Sequence, residues 1–435
     1  MGFFSRKKKT QAKVMVVGLD GVPCSLLKTF INKGITPNIK RIIGDKLPLH
    51  MSVVYPEISA VSWPSFMTGR DPGGHGIFGF TDLLPNSYDM YFPNYTNLDA
   101  PTIWDRLGEM GKKSIVINQP STYPAKKIEG ALISGFVAVD IFKSVQPSKY
   151  MGQLKRMNYK VDIETDKARQ DADFLFKELD KALKNREKAL EIIKKKEDSW
   201  DYIELVVTGT DRLQHYQMDA IMDEKHERHQ QAMDYYSKVD ALIGRLYDGF
   251  CKETGTDGEN FIMLSDHGFT EIRQEVYINS WLEENGYLSF EGDERTLANI
   301  SPDSKAFSLD PGRIFIHREG RFPKGCVAEQ FADSLRDEIQ QKLKSLTFDG
   351  DPVIKDVFTP DQIYNGKHIG KAADLIAWAH YGFDLKSATT KGEIFRKTDL
   401  TGMHTQDDAF LWAGGDFADG VHITELADFI VGKFK

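Results

Sequence analysis

The chain has 435 residues, 41% apolar and 28% charged, a globular composition long enough to bury a sizeable core. Its 56 basic and 64 acidic side chains leave a formal charge of −8, against the basic footprint that a nucleic-acid polymer requires. Cys24, Cys251 and Cys326 are far apart and form no C-x-x-C pair, so neither a disulfide framework nor a thiolate metal site is expected, and a reducing cytoplasm fits.

Residues 1–12 read as a basic N-terminal tail. The run Met1-Gly2-Phe3-Phe4-Ser5-Arg6-Lys7-Lys8-Lys9 lacks the apolar stretch of a signal peptide. No segment approaches the roughly 18 apolar residues needed to span a bilayer. Two phenylalanines beside four basic residues allow weak contact with an anionic membrane surface, and a frayed solubilising tail is the simpler use.

From residue 13 onward, short apolar runs end in polar residues. Residues 13–19 end at Asp20, residues 114–117 at Asn118, and residues 261–265 at Asp266. Residues 202–208 lead to Asp211, and residues 373–378 and 409–412 complete the set. Such runs suit strands buried on both faces. Between them, residues 172–193 place Ala172, Phe176, Leu179, Leu183, Leu190 and Ile193 on one side at helical spacing. Residues 228–248 do the same with Met233, Tyr236, Val239, Leu242, Ile243 and Leu246. The alternation predicts an α/β fold over residues 13–435, a mostly parallel central sheet flanked by helices. Residues 276–372 are richer in Gly and Pro, with Asp310-Pro311-Gly312 as a turn, and read as a smaller inserted cap.

Functional groups in open α/β sheets gather at the carboxyl ends of strands, where Asp20, Asp211 and Asp266 fall. One Asp there is an ordinary turn or cap residue. Two have imidazole partners: Asp211 and His215 share a helical face at i, i+4, and Asp266-His267-Gly268 puts the same pair at a strand end. Carboxylate oxygen with imidazole nitrogen suits zinc and similar divalent ions. In Val61-Ser62-Trp63-Pro64, Pro64 fits a first helical turn and Ser62 its N-cap. Ser62 is then either a capping residue or a nucleophile beside a metal at an anion-binding helix start.

In order along the chain, Val17-Gly18-Leu19-Asp20-Gly21, Ser62-Trp63-Pro64, Thr68-Gly69 and Pro72-Gly73-Gly74-His75-Gly76-Ile77 precede Asp211-x-x-x-His215, Asp266-His267-Gly268 and Thr401-Gly402-Met403-His404. This series resembles the type I phosphodiesterase/nucleotide pyrophosphatase branch of the alkaline phosphatase superfamily, over most of the chain. The resemblance implies a phosphoester hydrolase, most simply a phosphodiesterase, with an alkaline phosphatase-like fold and two divalent metal ions. Asp211, His215 and His404 would hold one ion; Asp20, Asp266, His267 and the Ser62 oxygen would hold the other. Ser62 would form a phosphoseryl intermediate. Zinc suits the donors, with manganese or iron as alternatives.

The resemblance has gaps. The phosphate-binding Asn that nucleotide pyrophosphatases place after His-Gly-Ile is missing from His75-Gly76-Ile77-Phe78-Gly79-Phe80, and Phe66 stands where a sulfatase needs Arg. A small phosphorylated organic substrate is expected, with Arg70, Arg313 and Arg321 as candidate contacts. A phosphomonoesterase, a phosphonate hydrolase and a non-catalytic binding protein on the same fold are the alternatives. Oligomeric state is not legible. His226 and His229 read as solvated, and His75 as a buried hydrogen-bonder.

Overall fold

Six consecutive apolar residues, Val14–Leu19, make strand β1, buried along its whole length. Alternate side chains serve opposite faces: Met15, Val17 and Leu19 enter one hydrophobic core, Val14 and Val16 another. The computed structural model describes residues 12–390 and 392–435; the expected tail lies outside them except for Ala12.

β1 is the middle of a nine-stranded sheet. Its other strands are β2 (Leu49–Ser52), β3 (Ser114–Gln119), β4 (Gly130–Ser134), β5 (Val145–Gln146), β6 (Tyr202–Val207), β7 (Phe261–Leu264), β8 (Ala409–Trp412) and β9 (Val421–His422). Their order is β9-β2-β8-β7-β1-β6-β3-β4-β5. The five central strands from β7 to β4 are all parallel, whereas β8 runs antiparallel to both its neighbours and β5 antiparallel to β4. One face carries α1 (Ser59–Thr68) and the C-terminal helix Leu426–Gly432. The other carries α2 (Ala172–Lys194), α3 (Gly209–Met222) and α4 (His229–Thr254). The fold is α/β with the sheet sandwiched between helices.

One expected strand lies elsewhere. Residues 375–379 leave the central sheet and join a separate four-stranded sheet with Ala306–Leu309, Arg313–Ile316 and Ile354–Phe358. Composition cannot distinguish them from a central strand, because they too are largely buried, in a third hydrophobic core. The turn at Asp310-Pro311-Gly312 connects the antiparallel pair Ala306–Leu309 and Arg313–Ile316. The four-stranded sheet and a three-stranded one, of Phe383–Lys386, Gln274–Tyr277 and Phe395–Arg396, together take in residues from Gln274 to Arg396.

A buried carboxyl interrupts β6. Glu204 lies with Tyr202 on the same face of the strand, where the Tyr202 hydroxyl donates to its Oε2 while Oε1 has no partner. Burial raises its pKa to about 8 from an ordinary 4.5. A carboxyl raised in the folded state holds a proton that the unfolded chain has released. Its stabilising contribution is therefore complete below pH ~4.5 and is lost as pH rises through 8, by roughly 3 kcal/mol at pH 7. Thermal unfolding of Glu204→Gln at pH 5 and pH 8 is expected to show much of the wild-type loss of stability over that interval removed; an unchanged slope would contradict this protonation state.

Candidate metal centre

Three neighbouring parallel strands, β6, β1 and β7, deliver the carboxylates. Asp20 follows β1, Asp266 follows β7, and Asp211 sits in the first turn of α3 after β6. Asp211 and His215 are one helical turn apart, as their spacing predicts. His404 arrives on the short strand Gly402–Thr405, paired antiparallel with Gly268–Glu271 directly after His267.

Glycines make the convergence possible. A side chain on Gly18 would meet the Trp63 ring at 2.5 Å, so its absence lets Trp63 lie on β1 and donate its indole N–H to Asp20 Oδ2 at 3.2 Å. Gly21, at φ +70°, turns its N–H onto Asp266 Oδ1 at 3.1 Å and its carbonyl towards the Gln214 amide. Trp63→Phe removes the hydrogen bond that orients Asp20, and should weaken divalent-metal affinity by about 10–100-fold as read by titration calorimetry.

The imidazoles are held in one tautomer. His215 Nδ1 faces the Gly402 carbonyl at 3.2 Å, His404 Nδ1 the Glu57 carbonyl at 3.0 Å, and His267 Nδ1 the Gly268 carbonyl at 3.0 Å. A carbonyl only accepts, so each Nδ1 carries the hydrogen and each Nε2 presents a lone pair. These lone pairs converge. His215 Nε2 and His404 Nε2 are 3.0 Å apart, and Asp211 Oδ1 lies 3.4 and 3.3 Å from them. His267 Nε2 lies 3.4 Å from Asp266 Oδ2 and 3.8 Å from Asp20 Oδ1.

Two donor groups, Asp211-His215-His404 and Asp20-Asp211-His267, have ligand atoms within 4.8 Å of one another, and Asp211 belongs to both. The electrostatics point the same way. Asp20 is raised well above its ordinary value by burial and by Asp266 and Asp211, and burial lifts Asp266 to about 7. Burial also raises Asp211, but His215, His404 and Arg212 outweigh it and pull this carboxyl far below the usual range. His267 falls to about 4 through burial and the nearby His404, and burial lowers His215 and His404. Asp266 Oδ2 is buried with no hydrogen-bond partner. Facing lone pairs and crowded buried carboxylates each cost several kcal/mol without a counter-charge. Divalent cations fit this oxygen and nitrogen donor set.

The hydroxyl in this cluster is that of Ser59. Its Oγ lies 3.1 Å from Asp20 Oδ1 and 3.0 Å from His267 Nε2. Ser62, where the sequence places the nucleophile and metal oxygen, is one turn further along α1, fully buried, with no partner for its Oγ. The helix begins at Ser59, after Ile58 as N-cap, so Pro64 lies inside it rather than in its first turn. The Ala60 carbonyl, which a residue other than Pro64 would satisfy, receives the Ser121 hydroxyl at 3.4 Å.

A cavity of about 270 Å³ opens onto the cluster, with Asp20, Ser59, Asp211, His215 and His404 in its wall. Arg70, Arg313 and Arg321 do not line it. Arg313 is buried and donates to the Thr81 and Asp310 carbonyls, while Arg321 pairs with Asp374 and donates to the Ala372 carbonyl. The cations in the wall are Arg212 and Lys386, which the sequence did not single out. Arg212 is ion-paired to Asp162 at 2.6 Å and Asp211 at 3.1 Å, and stacks on Phe136. Lys386 is 2.6 Å from Asp384; burial opposes its charge, but Asp384 and Asp310 more than offset that. Arg212 adjoins a singled-out Asp, a signal that could have found it; nothing in the local sequence marks Lys386. His75, buried, contacts the Ser65 hydroxyl and accepts from the Ile77 N–H, as a structural histidine would. The three cysteines are free, and no helix among the described residues is long and apolar enough to cross a membrane.

Comparison with known proteins agrees with this architecture. No curated protein matches the chain by sequence. Among solved structures, phosphonoacetate hydrolase from Sinorhizobium meliloti 1021, in complex with phosphonoacetate, superposes with a TM-score of 0.65 at 14% identity, covering 98% of this chain and 96% of that one. An inactive form of murine ectonucleotide pyrophosphatase/phosphodiesterase 5, in complex with AMP, gives 0.55 at 16% identity, covering 98% and 95%. At such identities these likenesses establish the fold. The family model for type I phosphodiesterase / nucleotide pyrophosphatase matches residues 14–407, nearly the whole chain. The chain therefore belongs to the type I phosphodiesterase / nucleotide pyrophosphatase family of phosphoester hydrolases.

Proposed function

We propose that this hydrolase is a two-metal phosphodiesterase in which Ser59 is the nucleophile. The observation that carries the reading is the set of three Nε2 lone pairs and three carboxylates converging beside one hydroxyl. Asp211, His215 and His404 would hold one divalent ion, zinc being best suited; Asp20, Asp266 and His267 would hold the other, near enough to Asp211 for that carboxylate to face both. When bound, the ions lower the pKa of an oxygen nucleophile and neutralise charge on the phosphate oxygens.

The rest falls to the chain itself. Trp63 and the Gly21 N–H fix the two carboxylates at the strand ends, and the backbone carbonyls hold the imidazoles with Nε2 inward. Ser59 Oγ lies 3.1 Å from Asp20 Oδ1 and 3.0 Å from His267 Nε2, which positions its oxygen at the cavity wall beside the second donor group. Attack of Ser59 Oγ on phosphorus breaks the ester bond to the leaving alcohol and leaves a phosphoseryl ester. Water then hydrolyses that ester and restores the hydroxyl.

The test is purified protein assayed on bis-aryl and mono-aryl phosphates and on phosphonoacetate, with metal content measured alongside. Faster turnover of the diester supports the reading. Preference for the monoester or the phosphonate replaces it with phosphomonoesterase or phosphonate hydrolase activity on the same residues. No turnover at full metal content would leave a binding protein.

A further inference from the structure

Eleven large apolar side chains stand out as exposed among the described residues, and six fall in two short segments: Leu84, Met90 and Phe92, then Val137, Val139 and Phe142. Singly scattered apolar residues need no explanation, but a concentration at one place does. The first segment is a hairpin, with Asp82–Leu83 paired to Met90–Tyr91. Both segments adjoin the cavity. Phe80 and Phe136 are in its wall, their rings stacked at 5.7 Å and 17°. Phe80 also meets Phe92 edge-on at 5.5 Å, and Phe92 is 61% exposed. An aromatic path thus runs from the cavity to an apolar rim outside it.

The polar part of the wall narrows what can follow that path. Both cations there are already matched, Arg212 by Asp162 and Asp211, Lys386 by Asp384. A substrate bearing a second phosphate or a carboxylate beyond the reacting phosphorus finds no uncommitted cation in this wall. An uncharged hydrocarbon finds Phe80, Phe136 and the rim.

Resting on the hydrolase reading above, we infer that the substrate is an amphiphilic phosphodiester: its phosphorus lies at the donor cluster, and its apolar chain leaves along the stacked Phe80 and Phe136 rings to lie over Phe92 and Val137.

The metal-loaded enzyme, given p-nitrophenyl ethyl phosphate and p-nitrophenyl octyl phosphate below the micelle concentration, tests this with one leaving group. Burying a methylene is worth about 0.8 kcal/mol, so half-covering the six added methylenes should raise kcat/KM roughly 50-fold for the octyl ester. In a Phe92→Ser/Val137→Ser variant with wild-type circular dichroism, the octyl-to-ethyl ratio should fall towards unity. Equal kcat/KM for the two esters in the wild type overturns the inference, as does a folded variant that keeps the wild-type ratio. Equal values together with co-sedimentation on anionic phospholipid vesicles would overturn it too, assigning the rim to a lipid surface. No turnover of either ester removes the hydrolase reading, and this inference with it.

Discussion

Ser59→Ala is expected to lower kcat by about 10⁴-fold or more, with both divalent ions retained, because removing an attacking oxygen typically costs that much while binding groups survive. The contrast with Ser62→Ala makes the prediction specific. Ser62 is buried one turn deeper in α1, and the cavity wall includes Ser59 and Ala60 but not Ser62. Alanine there removes an oxygen that has no hydrogen-bond partner and should leave kcat within a few-fold of wild type. Steady-state kinetics on a bis-aryl phosphate, with atomic emission for metal content, decide between them. An inactive Ser62→Ala beside an active Ser59→Ala would reverse the assignment.

The second large effect concerns Asp211. Its Oδ1 lies between His215 and His404, and it is the one residue shared by both donor groups. Asp211→Asn keeps the shape but removes the negative charge shared by the two donor groups, so metal content is expected to fall at both of the proposed positions. Turnover should fall by at least the ~100-fold that losing an outer hydrogen bond alone can cost. His404→Ala touches only the Asp211-His215-His404 group and should lose less metal than Asp211→Asn. Equal losses in the two variants would argue against the shared role. In Asp211→Asn, added divalent metal should also raise the melting temperature less than in the wild type, since a ligand stabilises the folded state only as far as it binds it.

The carboxylates were legible because buried parallel strands announce themselves as apolar runs, and the polar residue after each run has to emerge at the same sheet edge. Asp20, Asp211 and Asp266 follow that rule on three adjacent strands. His404 had no such mark: its strand pairs outside the central sheet, and only the family resemblance pointed to it. Ser59, rather than the expected Ser62, lies at the donor cluster for a definite reason. A proline two residues after Ser62 suggests a helix that starts there, whereas α1 starts at Ser59 and encloses Pro64. Arg313 and Arg321 satisfy loop carbonyls and do not line the cavity, and local sequence does not distinguish that use of a guanidinium from a substrate contact.

Asp20 and His404 lie far apart in the described chain, and His404 reaches the others through its strand's pairing beside His267 and its contact with the Glu57 carbonyl. Such long-range closure is slow and late in folding. No partial chain ending before that strand can present the full donor set, so a cation has little to grip until nearly every long-range pairing is made. Acquisition of metal would then report that the whole architecture is finished, and would lock it in the same event.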